Sequence, residues 1–206
     1  MKSQGECFKI HKYSSYEDYK LIQTEANKRK IDRVWVNEEN VKHISDYILK
    51  SCGNINYGLC HGTRRGYEQA WFSKYLNCEV IGTEISDTAT DFPNTIMWDF
   101  HDMKEEWLSN VDFIYSNSFD HSYKPEECLN TWMSCLNKKG ICILEHSSNH
   151  LPERCSEVDP FIATLEYMPY LIAKWSRGKF GCIDIFEGPQ LVGEKHSSYY
   201  IIIKNC

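Results

Sequence analysis

From residue 55 onward the sequence alternates short apolar runs with longer amphipathic ones, and this alternation restricts the fold more than any other feature. INYGLC, CEVIGTEIS, NTIMWDF, VDFIYSNS and GICILEHS read as strands. Between the first two, GYEQAWFSKYL reads as a helix whose Trp71, Phe72, Tyr75 and Leu76 share a face. After the fourth, a helix from near Pro125 turns Cys128, Leu129, Trp132, Met133 and Leu136 inward, and Lys139-Gly140 is read as its stop. Strands alternating with helices predict a mostly parallel sheet covered on both faces. A helical stretch is then expected from Asp159-Pro160, broken by Pro169, before two last strands, FGCIDIFEG and SSYYIIIKN. Their connection, EGPQLVGEKH, is too short for a crossover helix, so these two strands should pair antiparallel.

The first fifty residues differ. YEDYKLIQTEANKRK, from Tyr16 to about Lys30, is rich in helix formers, and a second helix is expected to start at Asn37, a good N-cap, with Val41, Ile44 and Ile48 on one face. IDRVWV between them is short and apolar, suited to packing across the domain or over a pocket. The expected organisation is therefore an N-terminal helical extension or lid over 1–50 and one main domain over 51–206. A chain of 206 residues with 42% hydrophobic content can bury one substantial core.

Charge and cysteine usage exclude several roles. The net charge is −6, and the small basic cluster of Lys28, Arg29, Lys30 and Arg33 reads as the solvated end of a helix. No nucleic-acid partner is expected, because phosphate neutralisation needs a contiguous basic face. The ten cysteines are dispersed without a C-x-x-C pair, MKSQGECFKIHKYSSYED lacks the apolar stretch of a signal peptide, and no segment approaches 18 consecutive apolar residues. Free thiols, a cytoplasmic location and no membrane partner are the expectation. Cys135 and Cys142 lie in apolar patterns, as small core residues.

Ligands of open α/β sheets bind beyond the carboxyl ends of the strands, where strand order reverses. GLCHGTRRG, residues 58–66, follows the first of these strands as a small-residue turn. Glu84 ends the next one, 22 residues after Gly62, close to the ~20-residue spacing of acids that accept hydrogen bonds from ribose hydroxyls. A carboxylate suits two vicinal hydroxyls because it offers two acceptor oxygens. A nicotinamide-dependent oxidoreductase would need G-x-G-x-x-G at the turn, which GLCHGTRRG does not supply.

With these pieces in order, the chain from about residue 50 to 206 resembles the class I S-adenosylmethionine-dependent methyltransferases. The resemblance implies a Rossmann-like three-layer sandwich, a mostly parallel seven-stranded sheet ending in an antiparallel hairpin. GLCHGTR stands where that family has an acid followed by G-x-G-x-G; TEIS carries the ribose acid, Glu84; MWDFHD matches the segment flanking the adenine, with Asp99 accepting from the exocyclic amine and Phe100 packing on the ring. The implied cofactor is S-adenosyl-L-methionine, leaving as S-adenosyl-L-homocysteine, held by His61, Gly62, Thr63, Arg64, Arg65, Glu84, Asp99, Phe100 and Asn117. The chain departs from the pattern at Gly58, where the acid should be, at Cys60 for the first glycine and at Arg64 for the third. Gly62 alone keeps the close approach, and Arg64 or Arg65 is expected on the cofactor carboxylate, the choice between them open.

Catalysis is placed after the fourth strand, in SNSFDHS. Methyl transfer from a sulfonium is an in-line displacement driven largely by positioning, and a hydroxyl acceptor also needs a base. His121 is the candidate base and Asp120 its orienter or second acceptor. The resemblance gives amino-methylating branches an Asn/Asp-Pro-Pro-aromatic run at this place; Asn117-Ser118-Phe119 lacks both prolines, which favours an oxygen acceptor on a small molecule or glycan. Asp120, His121, Glu145, His146 and His150 form an oxygen-rich set, but without a tight ligand spacing a divalent metal is not favoured. Trp35, Trp98, Tyr115, Phe119, Tyr123, Tyr167, Tyr170 and Trp175 are mostly core candidates, a few available to stack on an acceptor. A non-catalytic cofactor- or partner-binding member of the same fold is the alternative, motivated by the altered first motif.

Overall fold

The alternation folds as read. A computed structural model gives the structure of residues 6–189 and 196–206. In chain order the strands are β1 (Phe8–Ile10), β2 (Tyr57–His61), β3 (Glu79–Glu84), β4 (Thr95–Met97), β5 (Val111–Ser116), β6 (Leu136–Ser147), β7 (Phe161–Ala163), β8 (Phe180–Glu187) and β9 (Ser198–Asn205). The helices are α1 (Tyr16–Arg29), α2 (Glu38–Cys52), α3 (Tyr67–Leu76), α4 (Pro125–Cys135) and α5 (Met168–Ser176). Seven strands form one sheet in the order β4-β3-β2-β5-β6-β9-β8. The five strands from β4 to β6 run parallel, and β9 inserts antiparallel between β6 and β8. Strand order reverses between β2 and β5, which locates the ligand crevice at their carboxyl ends.

Side chains alternate across the sheet, and both faces are apolar. Cys60, Phe113, Tyr115, Ile141, Ile143 and Ile202 join Val41, Ile44 and Ile48 of α2 and Phe72 of α3. Their neighbours Leu59, Ile114, Cys142, Leu144, Ile201 and Ile203 join Leu129, Trp132 and Met133 of α4 and Leu171 and Ile172 of α5. Strands buried on both faces read as continuous apolar runs, and ICIL and YYIII do. Ser15 caps α1 by accepting from Asp18 N, and Asn37 caps α2 by accepting from Glu39 N, the start expected for it. All ten cysteines are free thiols, with Cys135 and Cys142 buried.

Three local readings change. The helix after β5 ends at Cys135, and β6 begins at Leu136, so Lys139-Gly140 lies within a strand. Leu136 pairs with Val111, and Asn137 Nδ2 donates to Asp112 Oδ1 at 2.6 Å, which captures the chain four residues before Gly140. The stretch after Asp159-Pro160 is the short strand β7, paired antiparallel with β1, neither of which the sequence pattern announced. Pro169 sits in the first turn of α5 and opens that helix, since its missing N–H costs nothing there. Finally, IDRVWV crosses the site without regular structure, burying Val36 and leaving Val34 and Trp35 exposed. Residues 190–195 of the EGPQLVGEKH connection lie outside the described residues.

Candidate functional site

The crevice begins where β2 turns into α3. Gly62 has φ +76°, and a Cβ on it would fall 2.6 Å from Ser118 Cβ and 2.9 Å from its Oγ. Only glycine fits this left-handed turn pressed against the end of β5. Gly62 N and Thr63 N both donate to Thr83 O, at 2.9 and 3.1 Å, tying the turn to β3. Ser116 Oγ donates to His61 O at 2.9 Å and Ser118 Oγ to Gly62 O at 3.1 Å, tying it to β5. Three strand ends are thereby held in one fixed arrangement.

Glu84 stands at the end of β3, 6% exposed. Its two oxygens each take one backbone N–H, from Arg64 at 3.2 Å and from Ser86 at 3.1 Å. Burial pushes its carboxyl up, and those two N–H groups pull against that. Asp99 follows β4. Its Oδ1 meets His101 N at 2.9 Å and His101 Nδ1 at 2.7 Å, and Tyr16 of α1 donates to Oδ2 at 2.8 Å. Burial raises this carboxyl, but hydrogen bonds from His101 and Tyr16 outweigh it and hold the group below the usual range. Glu84, Asp99, Phe100 and Gly62 line one cavity, as the sequence reading requires, together with Tyr19 and Gln23 of α1. Its volume is about 50 Å³, because side chains of α1 fill the space in front of the two acids.

The remaining expected cofactor residues divide. Arg64, itself left-handed at φ 44°, lines this cavity and donates through Nη1 to Arg33 O at 3.0 Å. Arg65 turns to the surface, 3.4 Å from Asp32 Oδ1 and over the rings of Tyr67 and Phe92. Thr63 is buried in the turn, and Asn117 reaches Glu68 Oε1 at 3.4 Å. His61 points to the α4 face, stacked on Trp132 at 4.6 Å, with Nδ1 2.8 Å from Thr83 Oγ1. Burial pulls its pKa down to about 3, so it supports the strand end as a neutral ring and does not line the cavities.

Asp120 and His121 lie on a short 3-10 turn, Phe119–His121, beyond β5. They take different partners. His121 Nδ1 is 2.9 Å from Gln23 Oε1, and its Nε2 is 3.9 Å from Asp159 Oδ1, whereas Asp120 Oδ2 is 3.7 Å from His150 Nε2. The nearest carboxylate oxygen to His121 Nε2 is thus that of Asp159, a residue the sequence pattern assigns only to a helix start. Asp120, His121 and Asp159 bring one donor atom each within 4.8 Å of one another, a set able to hold a divalent cation. Of the other metal candidates, Glu145 accepts from Tyr115 and from Ser198 Oγ at 2.8 Å, and His146 Nε2 is bound to Ala163 O at 2.9 Å. Asp120, His121, Glu145, His150 and Asn117 open on a second cavity of about 580 Å³, with Trp35, 65% exposed, at its wall.

The class so defined is a Rossmann-like α/β domain with its polar site at the strand-order switch, between two central parallel strands. Solved structures narrow that fold. The chain superimposes on the 1,6-didemethyltoxoflavin-N1-methyltransferase of Burkholderia thailandensis, crystallised with 1,6-didemethyltoxoflavin and S-adenosylhomocysteine, with a TM-score of 0.72 over 95% of this chain and 93% of that one, at 13% identity. It is similar to the geranyl diphosphate C-methyltransferase of Streptomyces coelicolor A3(2), solved with Mg2+, geranyl diphosphate and S-adenosyl-L-homocysteine (TM-score 0.64, 95% and 100% covered, 8% identity). It is also similar to the magnesium protoporphyrin IX methyltransferase of Synechocystis PCC 6803 with bound SAM (TM-score 0.61, 94% and 100% covered, 10% identity). No protein-family model matches the sequence, and no curated protein matches it. The fold is that of the class I S-adenosylmethionine-dependent methyltransferases. One neighbour is named for a nitrogen and another for a carbon, so this fold does not by itself fix the acceptor atom. No helix of the described residues is long and apolar enough to cross a membrane.

Proposed function

We propose that this chain transfers the methyl group of S-adenosylmethionine to a hydroxyl of a small molecule or glycan. The observation that carries the reading is the convergence of Gly62, Glu84 and Asp99 on one cavity at the strand-order switch. Glu84, with one N–H on each oxygen, keeps acceptor capacity on both for the ribose hydroxyls. Phe100 and Asp99 suit the adenine ring and its amine, and Arg64 suits the cofactor carboxylate, being the arginine that turns inward.

The cofactor supplies an electrophilic methyl on a sulfonium; the protein's part is to align the acceptor and take its proton. His121 lines the 580 Å³ cavity, its ring set by Gln23. The acceptor oxygen forms a bond to the methyl carbon as the carbon–sulfur bond breaks, sulfur keeps the electron pair, and the acceptor proton passes to the imidazole. Asp159 then faces the imidazolium. Trp35 at the wall offers a flat, amphipathic surface of the kind that sugars stack on, which supports the glycan reading.

In this proposal α1 is the lid and α2 belongs to the sandwich. Tyr16 and Gln23 of α1 hold Asp99 and His121, and the 50 Å³ cavity lined by Tyr19, Gln23, Ala26 and Asn27 is far below what a nucleoside needs, so α1 shifts to admit the cofactor. Calorimetry with S-adenosylhomocysteine tests the whole reading. Micromolar binding that Glu84→Ala weakens is expected; no binding, or binding indifferent to Glu84→Ala, sinks it.

A further inference from the structure

The basic cluster Lys28, Arg29, Lys30 and Arg33, read from sequence as the solvated end of a helix, divides in the structure. Lys28 pairs with Asp87 at 3.0 Å, and Arg29 is exposed. Lys30, which caps the end of α1, and Arg33, in the linker that follows, line the 580 Å³ cavity. Their neighbour Arg65 finds Asp32, whereas Lys30 and Arg33 form no ion pair among the described residues. In a chain of net charge −6, two cations facing a cavity without a carboxylate beside them call for an anion from outside.

Arg33 is also held beside a like charge. Its carbonyl accepts from Arg64 Nη1 at 3.0 Å, which ties the linker to the turn after β2. Burial pulls the Arg64 guanidinium down, Glu84 and Glu68 act against that, and the Arg33 charge adds to the pull. The cofactor carboxylate proposed above answers Arg64 alone. Lys30 and Arg33 are left without a counter-charge when the cofactor is bound.

The carboxylates of the same cavity, Asp120, Glu145 and Asp159, come from other elements: beyond β5, near the end of β6 and just before β7. Each already has a neighbour in the protein. Asp120 lies 3.7 Å from His150, Asp159 lies 3.9 Å from His121, and Glu145 accepts from Tyr115 and Ser198. Arg154, the remaining cation of the lining, donates to Asn149 Oδ1. Carboxylates accept from hydroxyls and repel anions, so a ligand with both groups has a favoured direction, anion to Lys30 and Arg33, hydroxyls to the strand ends.

We infer that Lys30 and Arg33 bind a phosphate group of the acceptor, so that the acceptor is a phosphorylated sugar whose free hydroxyl is directed at His121. A phosphate ester suits two adjoining cations better than a carboxylate does, with about −1.5 to −2 charge at neutral pH and three acceptor oxygens. The phosphate subsite rests on the cofactor and acceptor sites proposed above, and the test separates them. Calorimetry on protein saturated with S-adenosylhomocysteine, which occupies Arg64, measures inorganic phosphate, diphosphate and, as a carboxylate control, acetate. The proteins are the wild type, the double variant Lys30→Gln/Arg33→Gln, and Lys20→Gln, an exposed α1 lysine outside the cavity. Glutamine removes the charges but keeps the Arg33 carbonyl that Arg64 meets, and a thermal melt confirms that the variants fold. Phosphate or diphosphate should bind the wild type with a Kd on the order of 1 mM, and the double variant about tenfold or more weakly. Lys20→Gln should stay within about twofold of the wild type, and acetate should bind about tenfold more weakly than phosphate. Tighter binding of phosphate points to a sugar monophosphate, tighter binding of diphosphate to a nucleotide- or lipid-linked sugar. No saturable binding, acetate as tight as phosphate, or no greater loss in the double variant than in Lys20→Gln overturns the inference while the cofactor site stands. If S-adenosylhomocysteine itself does not bind, the methyl-transfer reading falls and the inference with it.

Discussion

Gly62 carries the sharpest energetic prediction. Alanine there meets two separate penalties. The first is the backbone at φ +76°, which costs an L-residue about 1–2 kcal/mol. The second is the new Cβ, 2.6 Å from Ser118 Cβ and 2.9 Å from its Oγ, an overpacking of the kind that costs about 1–3 kcal/mol. Gly62→Ala is therefore expected to lose about 2–5 kcal/mol, or roughly 4–20 °C in melting temperature for a chain of this length. Ser118→Gly alone removes the hydrogen bond to Gly62 O and should cost about 1 kcal/mol. In that background the clash is gone, so Gly62→Ala should cost only the backbone term. Chemical denaturation of the four proteins measures the coupling, expected at about 1–3 kcal/mol. Additivity within about 0.5 kcal/mol would show that the turn does not press on β5, and the account of how the three strand ends are fixed would be wrong.

The other expectations concern the lid, the base and the buried acid. Tyr16→Phe removes the hydrogen bond that holds α1 on Asp99 and should tighten S-adenosylhomocysteine by about two- to tenfold in calorimetry; weaker binding would make Tyr16 a cofactor contact and not a latch. His121→Ala should lower kcat with cofactor affinity nearly unchanged, and Asp159→Asn should lower kcat by about tenfold or more; equal loss of turnover and cofactor affinity would place His121 in the cofactor site. Glu68 carries the pH dependence: its folded pKa of about 8 lies above the ordinary 4.5, so the native state holds a proton that the unfolded chain releases. Stability should fall as pH rises from about 4.5 to 8, by no more than about 1.4 kcal/mol per pH unit, and Glu68→Gln should flatten the melting temperature over that window. An equally steep fall in the variant would assign it to other groups.

Much of the fold is legible because it is written in local patterns. ICIL and YYIII read as strands covered on both faces, and the alternation with α3 and α4 leaves a mostly parallel sheet, closed by the antiparallel β9, as the way to bury them. What escapes is decided at long range. β1 is three residues, FKI, only partly buried, and it becomes a strand because β7 lies beside it 150 residues later. The end of α4 is likewise set from outside: nothing in TWMSCLNKKG marks Cys135 as the last helical residue, but Asp112, on the neighbouring strand, binds Asn137 and draws the chain into the sheet.

The site divides along the same line. That Gly62, Glu84 and Asp99 line one cavity is readable from sequence because a parallel sheet places the ends of successive strands side by side, so position along the chain becomes position in the crevice. Arg64 and Arg65 are not separable in this way. They are adjacent and chemically alike, and only the left-handed backbone at Arg64 sends one inward and the other onto Tyr67 and Phe92. Asp159 and Gln23 come to His121 from segments that no spacing rule connects to it. Glu68 is the intermediate case. It carried a readable signal, an acid on the inward-facing side of a helix otherwise packed by Phe72 and Leu76, where a buried charge needs a reason.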